Sequence, residues 1–367
     1  MTPPKKTPKE EKVLPIGKLS MELLSEIFKA YNSPKILKTL EQSNYKEIYN
    51  ESQKRVILGF GIGEDAAIIS MENSSKYLVT KTDPITFATE DIGYYVVNIN
   101  ANDIAAMGAT PKWFQATILL PAGIATEQTA KKICLDIQTA CLRLGILLIG
   151  GHTEVTYDLN RPIVIGSMFG EVLRDNYVQS GGGKSGDAII LTKGIPLEGT
   201  SIIAREKEKQ LLDMGITEEV IRRSKDLLFH PGISIMKEAL LAVKHFNIHS
   251  MHDPTEGGLA MGLVELSKAS NCGFQIEYEK IPIIPEGKKL CEIFKLNPLQ
   301  TLSSGSLLIV LEDKDSDSLL QLMRNNGIIA SKIGNLTATN EYLIITQGKT
   351  SEIRYDERDE ITKIFNS

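Results

Sequence analysis

Apolar residues recur at helical spacing over residues 19–31 (LSMELLSEIFKAY), where Ser20 suits the N-cap and Glu22 suits the positive end of the helix dipole. After a polar stretch the pattern changes. Residues 66–69 and 77–82 are aliphatic and β-branched runs bounded by turn residues, and they predict strands. A helix is predicted over 91–107, ended by Gly108 and followed by Pro111. A strand over 113–120, a long helix over 125–144, a buried apolar strand over 145–149 and a strand over 162–172 follow. The glycine-rich stretch 180–186 (SGGGKSG) then precedes an apolar strand at 187–191 and marks a domain boundary. Beyond it the spacing predicts helices at 201–213, 218–227, 234–246, 257–270 and 316–325, with strands at 273–278, 306–311, 328–333 and 342–346. Strands and helices mix without strict alternation, which predicts an α+β fold.

The chain has 367 residues, more than one hydrophobic core usually serves, so two α/β domains are expected, at 17–175 and 176–350. Residues 1–16 read as a disordered tail and 351–367 as a C-terminal tail. The start, MTPPKKTPKEEK, is charged and has no apolar core of a secretory signal. No run approaches the roughly 18 apolar residues of a membrane span, so no membrane partner is expected. The net charge of −5 opposes a general nucleic-acid binder. Cys134, Cys141, Cys272 and Cys291 lack metal-site spacing and fit reduced thiols in a cytoplasmic protein.

Five short blocks carry the candidate chemistry. In Gly59-Phe60-Gly61-Ile62-Gly63-Glu64-Asp65, alternating glycines let backbone amides approach an anion, and the acids after them can hold a divalent cation. Alone, such a loop before a strand is more often a turn. Thr82-Asp83-Pro84 places a carboxylate at a strand's end, or forms a plain Asp-Pro turn. Residues 98–109 (NINANDIAAMGA) put Asn98, Asn102 and Asp103 near one helical face, although Asn and Asp are poor helix-interior residues; a lined site explains them better than a solvated surface. Gly150-Gly151-His152-Thr153-Glu154 follows the apolar strand at its carboxyl end. His252-Asp253-Pro254-Thr255-Glu256-Gly257-Gly258 leads into a helix whose amides attract negative charge, or it is capped by Asp253 or Thr255. Gly183-Lys184-Ser185 is not a Walker loop, because Val178 stands where the first glycine belongs and a strand follows. Asp65, Asp83 and Asp103 beside two glycine turns suit Mg²⁺ and the phosphates of a nucleotide.

These blocks, in this order from about residue 17 to 345, resemble the AIR synthase-like superfamily, and the wording KTDPIT, DPTEGGL and SGSLL is most similar to its hydrogenase-maturation HypE-like branch. The resemblance implies two α/β domains, the N-terminal one ferredoxin-like and forming half of a β-barrel shared between two subunits of a homodimer. It implies ATP and Mg²⁺ as cofactors, with Asp65, Asp83 and Asp103 holding the metal. Gly61, Gly63, Glu64, Thr82, Asn102, Gly151, Thr153, Asp253 and Glu256 would line the nucleotide cleft, and His152 and Glu154 would be the catalytic pair. His152 stands where most of the superfamily has an acid. The implied activity is ATP-dependent activation of an amide or carbonyl oxygen on a small-molecule or protein acceptor. The alternatives are a small-molecule kinase of the thiamine-monophosphate type and a non-catalytic nucleotide-binding assembly factor. No cysteine follows Cys291, so chemistry on a C-terminal cysteine is disfavoured.

Overall fold

The computed structural model describes Leu14 and residues 17–61, 63–356 and 358–365. Apart from Leu14, the tail expected at residues 1–16 lies outside the described residues. Two mixed sheets organise the rest, as the α+β expectation requires. The first has six strands in the order β1-β2-β3-β6-β4-β5, built from β1 (Val56–Leu58), β2 (Ala67–Ser70), β3 (Lys76–Ile85), β4 (Thr110–Pro121), β5 (Leu147–Thr156) and β6 (Ile163–Leu173). The second has seven, in the order β13-β12-β9-β11-β7-β10-β8: β7 (Ala188–Thr192), β8 (Ile248–His252), β9 (Gly273–Glu277), β10 (Leu308–Leu311), β11 (Ala330–Thr337), β12 (Tyr342–Thr346) and β13 (Lys349–Glu352).

In the first sheet β4 and β5 run parallel, joined through the helix Glu127–Leu144, while β3, β6 and β4 pair antiparallel. That helix starts at Thr126, whose hydroxyl accepts from Thr129 N, and ends at Gly145 in the left-handed region. The helix Ile92–Ala106 is buried almost along its whole length against this sheet. Its close approach depends on two glycines of β6. A Cβ on Gly166 would lie 2.8 Å from Phe114 Cε2 and from Asn100 Cγ, and one on Gly170 would lie 2.8 Å from Thr110 O.

The polar residues of this helix mostly serve the backbone. Asn98 Nδ2 donates to Tyr94 O at 2.8 Å; Asn100 accepts from Asp83 N at 2.9 Å and donates to Val96 O at 2.8 Å. Asn102 reaches across to the second half of the chain, donating to Ile233 O at 2.8 Å and accepting from Ile235 N at 2.9 Å. One apolar core runs through the contact: Ile104 and Phe114 belong to the same cluster as Leu197, Ile203, Ile361 and Ile364. The end of the expected C-terminal tail is therefore packed, with a short helix at Thr362–Phe365.

The local spacing misplaced some elements. Helices at Pro34–Glu41 and Lys46–Lys54 occupy the stretch left as polar, where no buried residue marks their faces. The run expected to be a buried strand at 145–149 opens the edge strand β5, on which Leu147 and Ile149 are exposed. GGHTE lies within that strand rather than after it.

Gly166→Ala should lower stability by about 1–3 kcal/mol, because the added methyl meets a packed ring and amide that cannot withdraw together. Urea unfolding followed by circular dichroism would show the reduced midpoint with an unchanged slope.

Candidate functional site

Three elements from both halves of the chain converge on one acidic centre. Asp65 stands in the loop before β2, Asp103 near the C-terminal end of the helix Ile92–Ala106, and Asp253 just after β8. One oxygen from each lies within 4.8 Å of the others, and all three residues are buried. The glycine loop is seated here by necessity. Gly63 has φ +80°, and a Cβ on it would lie 3.1 Å from Glu265 O on the helix Gly258–Ala269.

The carboxylates are partnered unequally. Asp65 Oδ1 lies 2.8 Å from His252 Nδ1, and its Oδ2 accepts from Ser180 Oγ at 3.3 Å. His252 Nε2 in turn pairs with Glu265 Oε2 at 3.0 Å. Burial works against a charged His252, but Asp65 and Glu265 outweigh it and raise its pKa well above the ordinary value. Lys81 Nζ bridges Asp103 Oδ1 at 3.5 Å and Asp83 Oδ2 at 3.4 Å. Burial opposes the Lys81 ammonium too, and Asp103 followed by Asp83 more than offsets it. Asp103 Oδ2 and both oxygens of Asp253 have no hydrogen-bond partner among the described residues. Burial pushes both carboxyls up, with Lys81 pulling Asp103 back and Asp65 adding to the rise of Asp253.

Buried carboxylates with oxygens within 4.8 Å of one another, two of them short of donors among the described residues, are what a hard divalent cation satisfies. The donor set fits Mg²⁺: all oxygen, anionic, and short of protein hydrogen bonds. Binding would release the protons that burial favours.

The structure brings some expected residues together and separates others. Asp65 and Asp103 are joined by Asp253, expected only to face the cleft, while Asp83 lies beyond Lys81 and lines a cavity of about 390 Å³ between the two halves. Glu256 lines the same cavity and accepts from Lys18 N at 3.0 Å; Thr255 Oγ1 accepts from Lys18 Nζ at 2.8 Å. Gly61 and Glu64 stay in the loop beside Asp65, with Glu64 Oε2 buried and without a partner among the described residues. Neither Asp253 nor Thr255 caps the following helix. Gly257 does, and its amide donates to Asp359 Oδ2 at 2.7 Å rather than standing free for an anion.

Within one chain the remaining expected residues are engaged elsewhere. Thr82 alternates away from Lys81 and Asp83 along β3, and its hydroxyl donates to Gly166 O at 2.7 Å. Asn102 spends its amide on Ile233 and Ile235. Gly151, His152, Thr153 and Glu154 lie on β5, at the opposite edge of the sheet from β1, and His152 and Glu154 are exposed and pair with each other at 3.2 Å. One chain therefore does not bring them to the carboxylates.

Lys81 and Glu265 were given no role by the sequence reading, and His252 was named only as the start of its block. Lys81 had a usable signal, since strand alternation places it on the same face as Asp83.

Residues 63–172 match the family model for AIR synthase related proteins, N-terminal domain, and residues 184–346 match the model for the C-terminal domain. A Methanocaldococcus jannaschii protein assigned to hydrogenase expression and formation is 28% identical, over 90% of this chain and 91% of its own. The carbamoyl dehydratase HypE of Cupriavidus necator is 27% identical, over 80% and 82%. Among solved structures, a HypE–HypF complex aligns with a TM-score of 0.67 and 23% identity over 91% of this chain and 99% of the other. HypE in complex with ATP aligns with 0.63 and 20%, over 81% and 89%. These two likenesses establish the fold.

Lys81→Met should destabilise the protein by on the order of 3 kcal/mol by leaving the buried Asp103 without its cation. Adding Asp103→Asn should recover much of that loss, and a double-mutant cycle by urea unfolding measures the coupling.

Proposed function

Because the chain belongs to the AIR synthase related family, we propose that it is an ATP-dependent enzyme of the HypE type, one that activates an amide or carbonyl oxygen of an acceptor by phosphoryl transfer. The observation that carries this reading is the buried Asp65–Asp103–Asp253 centre, with its unpartnered oxygens, beside a cavity lined by both halves of the chain. The names of the relatives support it: one dehydrates a carbamoyl group, and a neighbouring structure was solved with ATP.

Asp65, Asp103 and Asp253 would hold Mg²⁺, which when bound neutralises phosphate charge. The chain's own residues do the rest. His252, held by Glu265, fixes the Asp65 carboxylate, and Lys81 holds Asp103 and Asp83 in one line of charge. An acceptor seated in the junction cavity would be partly shielded from water by its walls, which favours transfer over hydrolysis.

The same reading includes a homodimer. β5 is an edge strand with Leu147, Ile149 and Val155 exposed, and unpaired edges of this kind invite pairing with a second chain. Among the described residues no helix is long and apolar enough to cross a membrane.

ATP with Mg²⁺ should raise the thermal unfolding temperature, by the equivalent of about 2.7 kcal/mol at a hundredfold excess over the dissociation constant. ATP alone should do much less, and Asp253→Asn should remove the difference between the two. A shift indifferent to Mg²⁺ in the unmodified chain would remove the basis for the proposal. Free phosphate rather than a phosphorylated acceptor in the product mixture separates dehydration from a kinase outcome.

Sedimentation velocity at micromolar concentration should show a dimer, and Ile149→Lys should convert it to monomer. A monomeric unmodified chain would refute pairing through β5.

A further inference from the structure

The junction cavity holds two polar groups that the metal centre does not use. Glu198 is 3% exposed and Ser304 is 1% exposed, and both line the cavity. Glu198 Oε2 and Ser304 Oγ have no well-formed hydrogen bond among the described residues, although the hydroxyl lies close enough to bear on the carboxyl. Leaving a buried polar atom unpaired costs about 1–3 kcal/mol, so a folded chain rarely carries two side by side without a use.

Their placement is rigid. Glu198 stands in the first turn of the helix Leu197–Glu206, and the amide of the next residue, Gly199, donates to Leu302 O at 2.8 Å. A Cβ on Gly199 would lie 2.6 Å from Thr301 Cγ2 and 2.8 Å from Leu302 O. Only glycine lets this helix press directly on the loop that carries Ser304.

The surroundings set the charge of what can bind. Asp83 and Glu256 line the same cavity, and Asp253 and Asp359 also act on Glu198. Lys18 is the one cation among the described lining residues, and its Nζ is engaged by Thr255. Burial, opposed by Ser304 and reinforced by Asp359, Asp253 and Glu256, pushes the Glu198 carboxyl up to about 8, so near neutral pH it is largely an uncharged group that both donates and accepts. Ile85, Phe87, Ile99, Ile202 and Leu302 make the remaining wall apolar.

Resting on the ATP-dependent reading above, we propose that Glu198 and Ser304 form the acceptor-binding pair of this enzyme, taking an uncharged head group that both donates and accepts hydrogen bonds on an apolar body, and rejecting anionic acceptors. The pair positions the acceptor beside Asp83; the phosphates and metal belong to the separate aspartate centre.

Matched probes test this on the full-length chain: benzamide, which carries such a head on an apolar ring, and benzoate, its anionic counterpart. Affinities come from ligand-observed NMR titrations with ATP and Mg²⁺ present. Benzamide should bind at least about tenfold more tightly than benzoate, and Glu198→Ala should weaken benzamide by about tenfold, the cost of one hydrogen bond to a buried group. Ser304→Ala should weaken it less. Glu198→Gln, which keeps a donor and an acceptor, should stay within about threefold of the unmodified chain. All three variants should keep the Mg²⁺-dependent ATP shift, which confirms folding and an intact aspartate centre. Benzoate binding as tightly as benzamide, no benzamide binding, or benzamide binding indifferent to Glu198→Ala would each overturn the assignment. Loss of the ATP shift in the unmodified chain, with Glu198-dependent benzamide binding intact, would refute the ATP-dependent reading and leave the binding pair standing.

Discussion

Three carboxylates with oxygens inside 4.8 Å of one another, shielded from water, form an arrangement that opposes folding. At an effective dielectric near 20, each ionised pair at that distance repels by about 3 kcal/mol. The chain answers with cations of graded reach. His252 is committed to Asp65, and Lys81 is shared between Asp103 and Asp83, while Asp253 has no donor among the described residues. The deficit is therefore concentrated on the residue that arrives from the second sheet. A centre left short of positive charge in this way is poised for a cation and, through it, for phosphate.

Because the repelling groups come from both halves, their repulsion acts on the junction itself, and other contacts must close it. Asn102 pins the buried helix to Ile233 and Ile235 with both ends of its amide. Ser180 binds Asp65 through its hydroxyl while its carbonyl accepts from Ser250 Oγ at 2.6 Å, so the linker is tied to strand β8. From the far end of the chain, Asp359 holds the Gly257 amide next to Asp253 and Glu256. The apolar cluster that runs from Ile104 to Ile364 makes these ties cooperative. The residues that look most polar in the sequence are thus largely structural, and they hold the acidic residues in position.

This explains which parts were legible. Element type followed the spacing wherever one face was buried, as for the helices ending at Tyr31 and Leu144 and for strands β3, β4 and β6. The Asp65 and Asp103 motifs were legible because glycines and mid-helix acids are locally expensive and therefore need a reason. Asn98 and Asn102 carried the same local signal but owed it to backbone partners, which no local pattern distinguishes from ligand partners. Glu198 carried no signal. A single acid in the first turn of a helix is ordinary, and only the close approach permitted by Gly199 makes it buried. The run before Gly150 misled for the opposite reason: an apolar stretch reads the same whether its neighbour is in the same chain or in another.

That ambiguity bears on the site. The strand order places β5 three positions from β3, at the edge farthest from β1, with Gly151 and Thr153 exposed along it. Gly151 sits at φ +154°, and a Cβ there would collide with Ala116 O, so the glycine is already required for β4 and β5 to pair. Its presence needs no phosphate to explain it. A role for this strand at a nucleotide requires a second chain, and the exposed Leu147, Ile149 and Val155 supply an independent physical reason for one to pair there. The carboxylate centre and the junction cavity are built from residues of a single chain, whereas any contribution from the GGHTE segment depends on assembly.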